Sequence, residues 1–448
     1  MNAGISAATR ELTDRLGLDS VATSGPLYEK TRRVWNGAVT NRPALVVHAR
    51  GTADVQAAVR AARDHDLPLS VRSGGHDWLG RGVRDGALVI DLTGMRRVEV
   101  DAGTAVATVA GGATAADLIG AASPHGLSAV TGTVGDVGVA GLTLAGGYGP
   151  LNGRCGLALD NLLAADVVLA DGRAVTADAD HEPELFWAIR GGGGNFGVVT
   201  SMRLRLHRVD PVLAATIFYP LPQAAAVLDG LNEILSAAPD ELTVAAAMLT
   251  GPSGAPGLGL LPVWSGDPAS GEAPLDRLRR LGDPAVAKVE PTTYSNLLHA
   301  NDEQPETIGH HVATRTRSLP HFTPDAISAL VEAAATFTSP MSRVLCGQFH
   351  GAAARVPVES TAFGLRQNHV MATIVGWWPP GDAEPHQTWA DTVSEALARD
   401  ALPGGYPNGL GPDDSGQTAH AYGPNAARLR AAKTRYDPSN TFTATPLP

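Results

Sequence analysis

The run Gly192-Gly193-Gly194-Asn195-Phe196-Gly197 spells G-x-G-x-x-G, and its neighbours decide what the chain can fold into. A dinucleotide fingerprint needs a strand before it and a helix after it, so that a phosphate meets a helix amino terminus. Here a short helix, Glu182 to Ile189, precedes the glycines. A strand, Val198 to Leu206, follows, with Met202, Leu204 and Leu206 alternating with Ser201, Arg203 and Arg205. A doubly wound sheet of the Rossmann kind is therefore disfavoured, and these glycines serve another purpose.

Two further glycine tracks point to that purpose. Leu67 to Val71 reads as a short buried strand running into Arg72-Ser73-Gly74-Gly75-His76. Paired glycines reach positive φ and turn their amides toward one anion. His76 then sits beside whatever that anion carries, as a nucleophile, covalent anchor, acid or base; the plainer reading is a turn histidine bonded to backbone. Gly132 to Gly153 is glycine-rich but punctuated by Val134, Val137, Val139, Leu142 and Leu144, as a backbone tracking a long ligand would be.

A chain of 448 residues exceeds one ordinary core, so two domains are expected. A net charge of −11 argues against a nucleic-acid surface or a polybasic membrane contact, and no stretch is apolar for the length of a membrane span. The expected partner is a small molecule, the expected compartment the cytoplasm, and the expected state a monomer or homodimer. Cys155 and Cys346 lack metal-ligand spacing and read as buried thiols; no metal site is expected. Residues 1–20 read as an amphipathic helix without a signal-peptide core.

The fold class is α+β. Strands are expected at Ala44–His48, up to Val71, Ala87–Leu92, Arg97–Val100, Ala105–Ala110 and Leu162–Leu169. Thr52 caps a helix to Asp64, and Thr114 with Asp117 forms a capping box. After Asp210-Pro211 the texture changes. Helices at Gln223–Ala237 and Thr323–Thr336 accompany strands at Thr243–Leu249, Gly259–Val263, Arg343–His350 and Val370–Trp377 of a second, antiparallel sheet. Gly423–Arg435 is a final basic helix.

The motifs R-S-G-G-H from Arg72, V-T-G-x-x-x-x-V-G-x-x-G-L-x-L-x-G-G-x-G from Val130, G-L-x-x-D-N from Gly156, E-L-F-W-A-I-R-G-G-G-G-N-F-G-V-V-T from Glu184 and Y-D-P-S-N-T-F from Tyr436 occur in that order. Together they resemble the FAD-linked oxidases of the vanillyl-alcohol-oxidase superfamily, and more narrowly the berberine-bridge-enzyme-like group. Gly126–Gly132 and Glu184–Thr200 most resemble an amine-oxidising bacterial branch. The resemblance implies a PCMH-type two-subdomain FAD-binding domain over residues 1–207 (core about 40–207). It also implies a substrate domain over 208–400, an antiparallel sheet flanked by helices, and a segment over 401–448 returning to the first domain.

It further implies that FAD is held by Arg72, Ser73, Gly74, Gly75, His76, Thr131, Gly132, Val137, Gly138, Gly141, Gly147, Asp160, Asn161, Gly197 and Val198. His76 would be bonded to the flavin's 8-methyl carbon. A second, cysteinyl attachment common in the group falls at Val134 here, and Cys155 is not its equivalent, so a single covalent link is expected. Val137 stands at the oxygen-gate position in its oxygen-accessible form, which implies an oxidase using O2 and giving H2O2.

The group's two catalytic bases are missing: Gly409 replaces the second tyrosine of Y-x-N-Y, and counting from Arg366 places Ala372 at the glutamate. Neither can take a proton. Tyr406 and Asn408 keep the rest of that motif and are expected in the pocket. Gln348 and His350 share a strand face, so if one meets the flavin both do, as hydrogen-bond partner and base. Trp377 and Trp378 form an aromatic wall or core. The reading is hydride abstraction from a small cyclic or natural-product-like substrate by C–N or C–OH oxidation. The alternatives are a non-redox cyclase or isomerase on the same scaffold and a protein that sequesters a toxic small molecule.

Overall fold

Three sheets organise the chain, and a computed structural model describes residues 3–209, 211–299 and 307–448. The first sheet holds β1 (Val21–Ala22), β2 (Leu45–His48), β3 (Leu69–Arg72) and β4 (Leu88–Asp91) in the order β1-β2-β4-β3. Strands β2, β3 and β4 run parallel, which requires a crossover. The helix Thr52–Asp64 makes it, burying Val55, Ala58, Val59 and Ala62. Its cap is Gly51; Thr52, the expected cap, is instead the first helical residue and donates its hydroxyl to Thr200 Oγ1. The amino-terminal helix spans Ala3–Leu16 and lays Ala8 and Leu12 into this core. Met1, Asn2 and Asp210 lie outside the described residues.

The second sheet is antiparallel, ordered β5-β6-β9-β7-β8, with β5 (Val98–Asp101), β6 (Val106–Ala110), β7 (Leu162–Val168), β8 (Ala174–Ala177) and β9 (Val198–Arg205). Thr114 and Asp117 close the capping box of the helix Ala115–Ala122. The helix Pro183–Ile189 precedes the four glycines and β9 follows them, so that stretch is a helix-to-strand turn. Part of the second glycine track is helical: Val139–Ala145 forms a short α-helix.

The third sheet holds seven antiparallel strands: β10 (Val212–Pro220), β11 (Leu242–Thr250), β12 (Pro256–Trp264), β13 (Val286–Thr292), β14 (His311–Leu319), β15 (Arg343–Phe349) and β16 (His369–Trp378). Their order is β13-β10-β12-β11-β15-β16-β14. Helices Ala224–Ser236, Pro324–Ala335 and Glu384–Ala398 cover one face, packing on Val344, Cys346, Val370, Ala372 and Ile374. Strands β10, β13 and β14 carry no strong alternation in sequence and escaped the reading above.

The last stretch of chain returns to the first half. Asn195 Oδ1 accepts from the amides of Ala444 and Thr445, and its Nδ2 donates to the carbonyl and hydroxyl of Thr445. Lys433 Nζ ties the Asn195 and Phe442 carbonyls to Asp437. The glycine-flanked Asn195 is thus a clamp on the carboxy-terminal segment. Among the described residues no helix is long and apolar enough to cross a membrane, and no cluster of side chains has the makings of a metal site.

Candidate active site

Strand β3 delivers Arg72 to the edge of a cavity of about 500 Å³, and the chain then turns through Ser73, Gly74 and Gly75 to His76. The turn is built for glycine. Gly75 has φ of 77°, and a Cβ on Gly74 would stand 2.3 Å from the Gly138 amide nitrogen. Ser73 Oγ donates to the Gly111 carbonyl, and the Trp35 amide donates to that of Gly75, pinning both ends of the turn. Trp35 then stacks on His76, with ring centroids 5.7 Å apart and an interplanar angle of 16°. Burial pushes the His76 pKa down to about 4, against the pull of Asp136, so its imidazole is neutral at ordinary pH.

The lining beyond His76 falls into two groups of residues, here called arms. One arm passes Ser70, Leu92, Gly197 and Val198 to Gly193, Gly194 and Phe442–Thr445, the segment that Asn195 holds in place. The other passes Val137, Gly138 and Gly141 to Tyr406, Asn408, Trp377 and Arg343. Gly193, Gly194 and Gly197 leave backbone bare in the first arm, and the Trp377 ring, the Tyr406 phenol and the Asn408 amide stand in the second. A long ligand with a phosphate-bearing half and a flat aromatic half suits that division, and FAD has both; the residues present fit it.

Tyr406 stands at the second arm. Its hydroxyl accepts from the Gly147 amide and from Asn408 Nδ2, each at 3.3 Å, and Asn408 also donates to the Gly141 carbonyl. Burial raises the Tyr406 pKa against those two donors, so the phenol keeps its proton. Behind it lies a pair that the sequence did not announce. His369 Nδ1 faces the Gln367 carbonyl at 2.8 Å, which can only accept, so the proton sits on Nδ1. His369 Nε2 then accepts from the Tyr148 hydroxyl at 3.0 Å, and the Tyr148 ring packs 5.1 Å from that of Tyr406.

Of the residues expected at the cofactor, Arg72, Ser73, Gly74, Gly75, His76, Val137, Gly138, Gly141, Gly197 and Val198 line this one cavity, together with Tyr406 and Asn408. Five do not line it. The Thr131 and Gly132 carbonyls accept from the Tyr294 hydroxyl, and Gly147 supports Tyr406 from behind. Asp160 forms a bidentate pair with Arg366, at 2.7 and 2.9 Å, bolting the first half of the chain to the second. Asn161 donates to the Cys155 and Leu157 carbonyls and accepts from His207.

The expected pair Gln348 and His350 is corrected. Val344 and Cys346 face the helices, so Gln348, two residues on, does too: it accepts from the Val244 amide and donates to the Leu235 carbonyl. The strand ends at Phe349, and His350 turns into a separate recess beside Thr243 and Asp240. Alternation likewise removes Ala372 from the flavin side, since it is buried under the helices; Met371 and Thr373 share the opposite sheet face with Trp377. Gly409 packs against Thr316, leaving no room for a larger side chain in this arrangement. Trp377 lines the cavity, whereas Trp378 stacks on His386 on the opposite face. Cys155 is not in the cavity lining, and burial raises its pKa to about 11. Trp35 and Arg343 were not anticipated: one lies in an irregular segment, and the other is a single charge whose strand parity had not been set.

Residues 43–178 match the family described as an FAD binding domain, and residues 406–446 the one described as berberine and berberine like. The FAD-linked oxidoreductase aurO of Gibberella zeae is 33% identical over 98% of this chain and 87% of its own length. The structure of 6-hydroxy-D-nicotine oxidase from Arthrobacter nicotinovorans matches with a TM-score of 0.85 at 29% identity, over 95% of this chain and 96% of that one. Glucooligosaccharide oxidase from Acremonium strictum, described with a 6-S-cysteinyl, 8α-N1-histidyl FAD, shares the fold at a TM-score of 0.85 and 23% identity, over 99% of each chain.

Proposed function

The chain belongs to the berberine-bridge-enzyme-like FAD-linked oxidoreductases, and from that premise we propose that it is an oxidase of small cyclic or natural-product-like molecules carrying a singly linked flavin. When bound, FAD supplies a two-electron acceptor that dioxygen can reoxidise with release of hydrogen peroxide. His76 would hold it covalently. A neutral imidazole offers the lone pair that such a link needs, and Trp35 fixes the ring plane. Val134 stands in the lining where a second, cysteinyl link would need a thiol. The Ser73–Gly75 turn and Gly138 shape the wall against which the cofactor would lie.

The substrate would occupy the arm between that wall and the third sheet. Tyr406 has its oxygen taken by two N–H donors, leaving its proton to bond a substrate oxygen or nitrogen and fix the carbon to be oxidised. The positions of β14–β16 on the same sheet face as Arg343 and Trp377, such as Thr316, Thr373 and Val375, include no carboxylate, so this face would orient the substrate and not deprotonate it strongly. Val137 lies in the lining, and a side chain of that size would admit dioxygen to the flavin.

The observation that carries this reading is His76, stacked on Trp35 in the cavity lining with burial holding its imidazole neutral. Acid-precipitated protein should stay yellow and fluorescent, and His76→Ala should release its flavin. Peroxide should appear as a panel of cyclic amines and secondary alcohols consumes oxygen. Complete release of flavin from the precipitated wild type would overturn the link. Flavin bleaching without peroxide would overturn the oxidase assignment.

A further inference from the structure

Three arginines reach the main cavity, and two of them are accounted for. Arg72 is held by Asp91, and Arg81 by Asp77 and by the carbonyls of Asn408 and Leu410. Arg343 is different. It opens β15 on the cavity side, its guanidinium carbon lies 4.5 Å over the Trp377 ring, and among the described residues it has no ion pair. Its Nε is buried without a hydrogen-bond partner. Burial alone acts on its pKa, pushing it down, and no carboxylate pulls the other way.

Arginine does not shed its proton in such a place, so this part of the cavity carries a positive charge with no carboxylate beside it among the described residues, Asp136 lying against His76 instead. A buried charge without a partner is destabilising, and a ring against one face of the guanidinium leaves the in-plane N–H edge unsatisfied. That edge matches a pair of oxygens in one plane. Cationic substrates, protonated amines included, are repelled by the same charge.

We infer that Arg343 recognises an oxyanion on the substrate, a carboxylate or an ionised phenol or enol, borne on a flat apolar body that lies against Trp377. The inference rests on the oxidase reading in taking this arm as the substrate's and not the cofactor's. It converts that reading from any small cyclic molecule to an anionic one, and makes Arg343 the residue that sets charge preference.

Binding can be read without turnover. Purified yellow protein is titrated with benzoate and 2-naphthoate, with benzamide and 2-naphthamide, and with 4-nitrophenol and 4-nitroanisole at pH 8, following the visible flavin band. At least one anion should bind about tenfold or more tightly than its neutral partner. Whether carboxylate or phenolate shows the larger ratio identifies the oxyanion. Arg343→Met should erase the ratio, and Arg343→Lys should keep part of it.

Equal binding of anions and neutral partners, or a ratio that survives Arg343→Met, overturns the proposal. So does loss of flavin from a folded Arg343→Met protein, because the guanidinium would then serve the cofactor. If Arg343→Met does not fold, Arg343→Gln takes its place in the comparison. Failure of the oxidase reading appears separately, as missing peroxide or as flavin released by acid, and leaves the binding ratios standing.

Discussion

A glycine in the cavity lining and one on the sheet face that carries Arg343 show how differently two surfaces of the molecule are built. A Cβ on Gly74 would meet the Gly138 amide at 2.3 Å, whereas one on Gly347, on the Arg343 side of β15, would meet nothing within 4 Å. The first wall is backbone against backbone, and its shape is fixed by residues that cannot be replaced. The second is a sheet surface from which side chains project, and its shape is set by whichever side chains stand there. Cofactor binding is therefore written into residue identity along a short stretch, while substrate preference is written into a parity that any sheet can carry.

The sharpest way to break this contrast is to add one methyl group to each wall. Gly74→Ala should yield little yellow protein, because backbone cannot give way as a side chain can, and a shift of that size costs several kcal/mol, on the order of 3 or more. Gly347→Ala should purify yellow with an unchanged melting temperature and alter only KM. Flavin absorbance per polypeptide and thermal melting check both. Equal flavin content in the two variants would remove the distinction.

The walls meet at a buried ion pair, which gives the second test. Asp160 and Arg366 are 9% and 5% exposed, and Arg366 also donates to Thr361 Oγ1 and the Ala353 carbonyl. Arg366→Met leaves the buried Asp160 carboxylate with the Leu157 amide but no ion-pair partner in contact, and should cost about 3–5 kcal/mol in chemical denaturation. The double change Asp160→Asn with Arg366→Met should recover part of that loss, since the uncompensated charge is gone. If the single variant is as stable as the wild type, this ion pair adds nothing to the other contacts that join the two halves.

Much of the first wall was legible in sequence for the reason its tolerance is low. Ser73-Gly74-Gly75-His76 and Gly138 can hardly be spelled otherwise, and the helix-before, strand-after context of Gly192–Gly197 ruled out a nucleotide-binding helix start. The spelling did not separate residues that touch the cavity from those that brace it, so Asp160 and Asn161 were assigned to the cofactor although they hold the chain to itself. In the second wall, Val344 and Cys346 already marked the helix-facing parity of β15, and that parity puts Gln348 and Ala372 away from the cavity. Arg343 was readable by the same rule. Trp35 was not, because only the folded chain brings an irregular segment against His76.

Acid separates the two walls again, through buried histidines. Burial holds His369 and His207 at about 4 in the folded protein, below the 6.5 of a free imidazole. Between those values the unfolded chain binds more protons, so stability falls as pH drops from about 6.5 toward 4 and is level above that window. His369, 2% exposed, contributes roughly 3 kcal/mol of that fall at most. Its replacement by Gln should flatten part of the slope in melting curves taken between pH 4 and 7. A wild-type melting temperature independent of pH over that range would mean that these rings are solvated.

The smallest effect on catalysis is expected where sequence alone pointed most directly at catalytic side chains. Gln348 serves the Val244 amide and the Leu235 carbonyl on the helix side, so Gln348→Leu strands those two groups and should cost about 1–3 kcal/mol of stability. His350→Ala empties a recess that the cavity does not reach. Both variants should keep kcat and KM within about twofold of wild type at a temperature where they remain folded. A large loss of kcat in folded His350→Ala would mean that the base reaches the flavin from a conformation different from this one. The parity argument that excludes Gln348 would survive it, because that argument depends on Val344 and Cys346 and not on the turn at Gly351.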